Sequence, residues 1–187
     1  MKITVFMALS LDGFIADLDG SVDWLNALSE TEVGNAEDYG FAKLMEAVDA
    51  LVMGSKTFEQ VLKFGIWGYG KLPVIVLSNR PPASNIPDEA QVTYASGSPS
   101  ELIIDWESQG ITHIYLDGGQ VVNDFLKADL IDEMILTQVP AILGNGLPLF
   151  HQALDPESWS MESTTSYPNG FVQRLLKNGA SSKNLGS

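Results

Sequence analysis

The segment from Val52 to Glu59 combines a glycine with small polar and basic side chains, the residue types that bind phosphate groups. Gly54 lets the backbone turn sharply and come close to a ligand. Ser55 or Thr57 can cap a helix, with Glu59 completing the cap, or can donate a hydrogen bond to a phosphate oxygen. Lys56 falls in the first helical turn, where a cation opposes the helix dipole unless an anion is present. An ordinary capped helix and a phosphate site are equally compatible with this segment.

Two further segments follow apolar runs in the same way. In the first, Leu77 precedes Ser78 and Arg80, whose hydroxyl and guanidinium groups suit a ribose phosphate. An ordinary polar turn explains this segment as well. In the second, Gly118 and Gly119 permit close approach of the backbone to a ligand. They do not form the G-x-G-x-x-G fingerprint of Rossmann folds, and a diglycine turn without function is the alternative.

These segments lie at the ends of predicted strands, because apolar runs alternate with helical patterns in the way typical of α/β folds. The strand-like runs are Ile3–Leu9, Ala50–Met53, Val74–Leu77, Val92–Tyr94, Ile114–Leu116 and Glu133–Gln138. The helical patterns cover about Ala36–Val48, Lys56–Phe64, Pro99–Gln109 and Val121–Lys127. Continuous apolar strands indicate a parallel sheet that is covered on both faces.

The last part of the sequence has a different pattern. Ser160–Tyr167 and Phe171–Lys177 flank a Pro-Asn-Gly turn, which predicts an antiparallel hairpin. The chain has no internal repeat and no interdomain linker. We therefore predict a three-layer αβα fold with a mixed, mostly parallel central sheet, forming a single domain over residues 1–178. Residues 179–187 are small and polar, and we predict a flexible tail or one added during cloning.

Composition excludes several classes of function. The 187 residues include 10 Lys and Arg against 24 Asp and Glu, a formal net charge of −14 that repels nucleic acids and anionic membranes. The absence of cysteine excludes disulfides and thiolate metal sites and is compatible with a reducing cytoplasm. No apolar run approaches the ~20 residues of a membrane span, and the first residues form a strand pattern rather than a signal peptide. We expect a soluble, cytoplasmic protein.

Taken in order, the motifs resemble those of the dihydrofolate-reductase-like superfamily, from Met1 to about Lys177. The opening MALSLDGFIA, residues 7–16, is similar to the first strand and nicotinamide-side loop of the reductase domain of riboflavin-biosynthesis deaminase-reductases. Residues 53–57, 77–80 and 116–120 resemble the "MGRKT", "LS-x-R" and diglycine turns of the superfamily. Residues 140–146 resemble the "P-x-L-G-x-G" segment of the riboflavin-type branch.

The resemblance implies an enzyme that binds NADPH. Lys56 and Arg80 would hold the adenosine-side phosphates, because Ser55 stands where the family has an arginine. The family's diglycine peptide bond is typically cis. The residues implied to contact the cofactor are Ala8, Ile15, Gly54, Lys56, Thr57, Leu77, Ser78, Arg80, Leu116, Gly118, Gly119, Gln120 and Val121.

Reduction of an acceptor also needs a proton. Asp23 stands roughly where folate-reducing members keep their active-site carboxylate, and Thr137 matches the threonine that partners it. A carboxyl group in an apolar cleft beside Trp24 would have a raised pKa and could relay a proton. The alternative for Asp23 is a helix-start residue that the dipole favours. Asp12 is the second catalytic candidate, and a turn aspartate before Gly13 is its alternative. Trp24 and Thr137 are predicted to bind substrate.

The leading hypothesis is an NADPH-dependent reductase that transfers a hydride to a small heterocyclic, pterin- or pyrimidine-like, or ribosyl substrate. A true dihydrofolate reductase is an alternative, although loop Ala16–Val22 is shorter than in folate-reducing members. A second alternative is a nucleotide-binding module that has lost catalysis. His113 and His151 lack metal-ligand spacing, so we predict no metal. Trp24, Phe41 and Trp67 are candidates for the wall of the acceptor pocket. We expect a homodimer, because two-fold dimers are the commonest soluble assembly.

Overall fold

The structure is a computed structural model that describes residues 1–29, 37–80, 83–151, 153 and 158–179. Its strands are β1 Lys2–Leu9, β2 Phe14–Ala16, β3 Ala50–Gly54, β4 Val74–Leu77, β5 Val92–Ala95, β6 His113–Asp117, β7 Glu133–Gln138, β8 Leu147–Pro148, β9 Trp159–Ser166 and β10 Val172–Asn178. Its helices are α1 Asp23–Ser29, α2 Phe41–Ala47, α3 Ser55–Lys63, α4 Pro99–Ser108 and α5 Gly119–Lys127.

Eight strands form one sheet in the order β5-β4-β3-β6-β1-β7-β10-β9, and β2 pairs with β8 in a small second sheet. Strand β3 runs parallel to β4 and to β6, and β4 runs parallel to β5. Strand β10 runs antiparallel to both β7 and β9. These pairings confirm the predicted α/β fold with a mixed, mostly parallel central sheet and a C-terminal antiparallel hairpin.

The chain divides into two compact units, and strand β1 contributes residues to each. The first unit contains Met1–Thr4 and Ala42–Leu130. Its core contains strand β3, in which Ala50–Met53 are fully buried as the continuous apolar run predicts. Helices α4 and α5 contribute Trp106 and Phe125, whose rings stack with centroids 6.4 Å apart. Burying aromatic side chains of this size stabilises a fold by about 1.5–3 kcal/mol each.

The second unit contains Val5–Phe41 and the chain from Ile131 onward. Its hairpin turns at Gly170, which has a φ of 85° and donates its N–H to the Tyr167 carbonyl at 3.0 Å. The positive φ is the conformation that the Asn-Gly sequence predicts. The amide of Gly179 donates to the Ser158 carbonyl at 2.7 Å, so the hydrogen bonding of this unit extends to the first residue of the predicted tail. Residues 180–187 lie outside the described residues, and the single-domain boundary stays a prediction.

Two helix starts differ from the predicted ones by two or more residues, and the other predicted boundaries of α2 to α5 agree within one residue. Helix α2 begins at Phe41, because Tyr39 and Gly40 have φ values of 57° and 85°, which a helix does not accommodate. The Asp38 carboxylate accepts the Gly40 N–H at 2.9 Å and holds this turn. The predicted start at Ala36 lies outside the described residues. Helix α5 begins at Gly119, two residues before the predicted start. None of the helices in the described part of the chain is both long enough and apolar enough to cross a membrane.

Candidate functional site

Helix α3 begins directly after strand β3 without a side-chain cap. Its N-cap is Gly54, with φ −77° and ψ 160°, and within the described residues no side chain accepts a hydrogen bond from the first turn. The capped-helix interpretation of Ser55 and Thr57 is therefore wrong. A Cβ added at Gly54 would lie 3.3 Å from Cγ2 of Val121, so the glycine also permits tight packing against α5. The first backbone N–H groups of α3 remain available to an anion.

Helix α5 begins at a second glycine, and its start contacts the first turn of α3. Gly118 has φ 90° and ψ 127° and carries no side-chain cap. A Cβ there would lie 2.5 Å from Oγ1 of Thr57, so both the backbone conformation and the packing require glycine. The peptide bond between Gly118 and Gly119 is trans, in contrast to the cis bond that the resemblance implies. The turn is made instead by the positive φ of Gly118.

The segment after β4 is held by its own hydrogen bonds. The Arg80 N–H donates to Oγ of Ser78 at 2.9 Å, and the Ser78 N–H donates to the Ala95 carbonyl at 3.0 Å. The Arg80 guanidinium lies 3.4 Å from Oε1 of Glu59 on α3, with 60% of its side chain exposed. An exposed ion pair of this kind contributes only about 0–1 kcal/mol, so Arg80 can exchange this partner for a stronger anion at little cost.

Strand register brings these three segments to one edge of the sheet. Gly54 lies opposite Leu77 in the β3–β4 pair, and Met53 lies opposite Asp117 in the β3–β6 pair. We call the carboxyl ends of β3, β4 and β6, with the starts of α3 and α5, the junction edge. In open α/β sheets this is the edge where ligands bind. Leu116 and Val121 are buried beside it, Lys56 is exposed, and Gln120 donates to Asp124 at 3.0 Å.

Asp117 is a candidate functional residue that the sequence analysis did not select. Its Oδ1 accepts the Gly118 N–H at 2.7 Å, and burial raises its pKa to about 6. Burial, followed by the charge of Asp117, raises the pKa of the Tyr69 and Tyr115 hydroxyls. A carboxyl group that titrates near neutral pH and precedes a diglycine turn is a candidate for a functional role. The available signal was its place at the end of a strand, but its burial could not be seen in the sequence.

The second unit contains a cavity of about 110 Å³ that is partly open to solvent. Three aromatic rings, two aliphatic side chains and one hydroxyl form its lining. The lining residues are Phe6, Ala8, Leu25, Tyr39, Thr137 and Phe171.

A hydrogen-bond network fixes the polar side of this cavity. Nε2 of Gln173 donates to the Tyr39 carbonyl at 2.9 Å and to Oγ1 of Thr137 at 3.0 Å. The Tyr39 ring stacks on Phe171 with centroids 5.4 Å apart, and its hydroxyl accepts from Nδ2 of Asn169 at 2.6 Å. The positive φ of Tyr39 is unusual for a bulky residue and persists only where the surroundings hold it.

Neither carboxylate predicted to be catalytic has the expected surroundings. Asp23 is exposed as the first residue of α1, and its N–H donates to Oγ of Ser21 at 3.1 Å. The prediction that an apolar cleft surrounds the Asp23 carboxyl group is therefore wrong. Asp12 accepts from Oγ of Ser10 at 2.6 Å and from the Gly144 N–H at 2.7 Å. The Ser10 hydroxyl, followed by backbone donors, holds the pKa of Asp12 below its usual value, which favours a carboxylate that joins two loops over a proton donor.

The other predicted residues divide between the two units. Thr137 and Ala8 line the cavity of the second unit, whereas Ile15 lies in β2 and Trp24 precedes the lining residue Leu25. The indole N–H of Trp24 is buried, and no partner for it occurs within the described residues. Of the aromatic residues proposed to form the wall of the acceptor pocket, Phe41 packs on Phe6 with ring centroids 5.8 Å apart. Trp67 lies in the first unit against Phe58, and its assignment to the acceptor wall finds no support there.

The sheet topology and the two glycine-started helices define a protein with the dihydrofolate-reductase-like fold. The chain belongs to the RibD C-terminal domain family, whose model matches residues 1–173. This confirms the resemblance found in the sequence. The chain is 32% identical over 168 residues to the uncharacterized protein YwjB of Bacillus subtilis (strain 168), covering 89% of this chain and 92% of that protein.

Two solved structures extend the comparison. A protein from Shewanella sp. PV-4 with a provisional riboflavin-biosynthesis name is 38% identical, with a TM-score of 0.85 over 95% of this chain and 99% of that chain. A dihydrofolate reductase from Enterococcus faecalis, complexed with NADP(H), is 16% identical, with a TM-score of 0.64 over 95% of this chain and 96% of that chain. The second likeness concerns the fold alone.

Proposed function

We propose that the protein is an NADPH-dependent reductase that transfers a hydride to a small acceptor. The observation that carries this proposal is the junction edge, where two uncapped helix starts and a serine-arginine turn meet at neighbouring parallel strands. Free N–H groups at a helix start bind phosphate oxygens, and a guanidinium group pairs well with a phosphate. A nicotinamide dinucleotide carries both a pyrophosphate and, in the phosphorylated form, a ribose phosphate.

The residues at the junction edge fit this cofactor. A Cβ at Gly54 would meet Val121 and a Cβ at Gly118 would meet Thr57, so glycine at both positions lets the two helix starts pack closely at this edge. Gly54, Lys56 and Thr57 would hold the pyrophosphate and adenosine side, and Ser78 and Arg80 the ribose phosphate. The turn formed by Gly118, Gly119, Gln120 and Val121 would line the pyrophosphate and the nicotinamide ribose. When bound, NADPH supplies the hydride, while the protein orients the acceptor and excludes water.

The source of the proton differs from the predicted one. Asp23 is solvated, and Asp12 is held in its ionised form by its donors. We therefore propose solvent water, rather than Asp23 or Asp12, as the proton donor.

Cofactor preference tests this proposal. Arg80→Ala should weaken NADPH binding by about tenfold or more, on the order of 1.5–3 kcal/mol for a charge-assisted contact, and leave NADH binding nearly unchanged. Fluorescence titration of both cofactors measures the two dissociation constants. Lys127→Ala is the matched control, because Lys127 is also exposed and pairs weakly with Asp124 at 3.8 Å. Equal losses for NADPH and NADH in Arg80→Ala would contradict the assignment of the 2′-phosphate to Arg80.

A nucleotide-binding module without catalysis is the second candidate function. It is favoured by the surroundings of Asp23 and Asp12, neither of which presents a proton donor. Such a protein would bind NADPH and show no loss of its absorbance at 340 nm, a standard nicotinamide measurement, with any pterin, pyrimidine or quinone acceptor. The expected cytoplasmic location and homodimer stay predictions.

A further inference from the structure

We infer that the cavity of the second unit takes an uncharged, weakly polar single ring bearing one carbonyl or ring-nitrogen acceptor, and excludes phosphorylated and ribosylated substrates. This inference rests on the proposed reductase function and narrows its acceptor, which the sequence leaves open between a heterocycle and a ribosyl compound. Four properties of the cavity carry it: size, aromatic frame, surrounding charge and the orientation of one hydroxyl group.

The size of the cavity limits the ring to one. Its volume is about 110 Å³. An enclosed apolar cavity of about 150 Å³ holds benzene, so this smaller cavity seats at most one ring, whose substituents extend through the side that is open to solvent. The Tyr39 ring closes one side, because it stacks on Phe171 and meets Tyr167 edge-on at 4.9 Å. Aromatic walls of this kind favour a flat ligand.

The charges beside the cavity are negative. Glu37 and Asp38 immediately precede the lining residue Tyr39, and their carboxylates accept the N–H groups of Tyr39 and Gly40 at 3.2 and 2.9 Å. Both carboxylates lie near enough to Tyr167 that, after burial, they raise the pKa of its hydroxyl. A phosphate group entering beside Tyr39 would meet two like charges and no compensating cation in the lining.

The described cations of this unit are engaged elsewhere. Arg174 donates to Oε1 of Gln138 at 3.1 Å, and Lys177 lies 3.4 Å from Oε1 of Glu162. Arg174 follows Gln173 on strand β10, and successive strand residues point to opposite faces of a sheet. Because Gln173 contacts the cavity residue Thr137, Arg174 points away from that side.

Thr137 supplies one hydrogen-bond donor to the ring. Nε2 of Gln173 must be the donor of its contacts, because one of its partners is the Tyr39 carbonyl, which only accepts. Oγ1 of Thr137 therefore accepts from Nε2, and within the described residues its own hydrogen has no acceptor. A ligand carbonyl or ring nitrogen can receive this hydrogen, whereas a ring with several polar groups would leave the others unpaired.

The reaction balances without a further reactant. Two electrons and one hydrogen nucleus pass from NADPH to the carbon of the acceptor C=O or C=N bond. The heteroatom takes one proton from water, and NADPH becomes NADP⁺. For an aromatic aldehyde the product is the corresponding alcohol.

Matched ligands test the inference through binding as well as turnover. The first pair is 4-methoxybenzaldehyde and 4-formylphenyl phosphate, and the second is N-methyl-2-pyridone and the N-riboside 5′-monophosphate of 2-pyridone. Dissociation constants are measured by ligand-observed NMR on the intact protein, and NADPH binding is measured separately by fluorescence. The uncharged member of each pair should bind at least about tenfold more tightly, since the phosphate meets only carboxylates.

Two variants locate the binding in this cavity. Thr137→Val should weaken 4-methoxybenzaldehyde about fivefold to tenfold, the usual effect of losing one neutral hydrogen bond, while the exposed Thr165→Val should not change it. Tyr39→Ala should admit the bicyclic 6-methoxy-2-naphthaldehyde, and Phe171→Ala serves the same purpose if Tyr39→Ala does not fold.

Tighter binding of either phosphorylated ligand, or no binding of any probe, would overturn the inference. Unchanged binding in Thr137→Val would do the same, because the ring would then lie elsewhere. Selective ring binding without any NADPH binding would contradict the reductase proposal and leave the selectivity of the cavity standing.

Discussion

Three helices of the first unit, α3, α4 and α5, each follow a strand of one sheet, but only α4 of these three caps its own start. Oγ of Ser98 accepts the Glu101 N–H, and Oε2 of Glu101 accepts the Ser98 N–H at 3.0 Å. Pro99 at the first helical position removes one further donor. In contrast, α3 and α5 have the glycines Gly54 and Gly118 as their N-cap residues and no side-chain cap.

The difference follows position in the sheet. Helix α4 comes after the edge strand β5, whereas α3 and α5 come after the inner, adjacent strands β3 and β6. A capping box satisfies two donors of a helix start, whereas the glycines at the starts of α3 and α5 allow close packing with Val121 and Thr57 and leave those donors open. Open donors of this kind are the ones that the proposed cofactor site would use.

The largest expected effect comes from changing Gly118. Gly118→Ala combines a φ of 90° with a Cβ 2.5 Å from Oγ1 of Thr57, which should lower the free energy of unfolding by roughly 3 kcal/mol. Urea denaturation measures this loss. Adding Thr57→Ala should recover the part that comes from the contact and leave the part that comes from backbone strain.

Gly119→Ala is the control for that variant. Gly119 lies in the first turn of α5 and has no positive φ, so alanine should be tolerated by the fold. NADPH binding should nevertheless be lost, because the added Cβ occupies the space of the pyrophosphate. Unchanged NADPH affinity in Gly119→Ala would mean that the open start of α5 is structural only.

The second effect concerns Asp117 and its dependence on pH. Its folded-state pKa of about 6 lies above the ordinary value of about 4, so the protonated form is the one that stabilises the fold. This contribution is complete below about pH 4 and is lost as the pH rises through about 6. Asp117→Asn should therefore raise the free energy of unfolding by about 2 kcal/mol at pH 7 and flatten its decline between pH 4 and 6.

Urea denaturation of both proteins at pH 4, 5, 6 and 7 measures this difference. Asn retains an oxygen that can accept the Gly118 N–H, so the turn itself is preserved. Parallel stability curves for the two proteins would show that the Asp117 carboxyl group titrates like a solvated one.

The smallest effects come from exchanging the two kinds of helix start. Ser98→Ala should cost about 1 kcal/mol of stability and leave NADPH binding unchanged, since it removes the cap of α4. Gly54→Ser introduces a cap at α3, where the φ and ψ already suit serine, but its Cβ would lie 3.3 Å from Cγ2 of Val121, so the contact should offset the cap and leave a stability change within about 1 kcal/mol. It should weaken NADPH binding about tenfold, because the new hydroxyl competes for the N–H groups that the cofactor needs. Denaturation and NADPH titration of both variants measure these effects. A larger loss of NADPH binding in Ser98→Ala than in Gly54→Ser would contradict the difference drawn between the capped start of α4 and the open start of α3.

The strands and the junction edge could be predicted from the sequence because their signals are local. Continuous apolar runs mark β3 and β4, and each glycine turn follows such a run directly. The predicted start of α2 was wrong because the sequence does not show the positive φ of Tyr39. Contacts with Asn169 and Gln173, which are far away in sequence, hold Tyr39 in this conformation.

The cavity could be predicted only in part. Thr137 and Ala8 were found through their place in family motifs, whereas Tyr39 and Phe171 carry no signal that separates a ligand wall from ordinary core. The predicted environment of Asp23 was wrong for a similar reason. Its place at a helix start was visible in the sequence, but its exposure depends on how α1 packs.

The division of each unit between distant parts of the chain has a consequence for synthesis on the ribosome. Val5–Phe41 leave the ribosome early, yet they complete their unit with β7, β9 and β10, which are made after the whole of Ala42–Leu130. At roughly 5–20 residues per second, the early segment waits about 7–27 s until the last of those strands is made. During this time the apolar strand β1 is exposed without its later partners, a state prone to mispairing. The nascent protein is therefore most dependent on chaperones before β10 emerges.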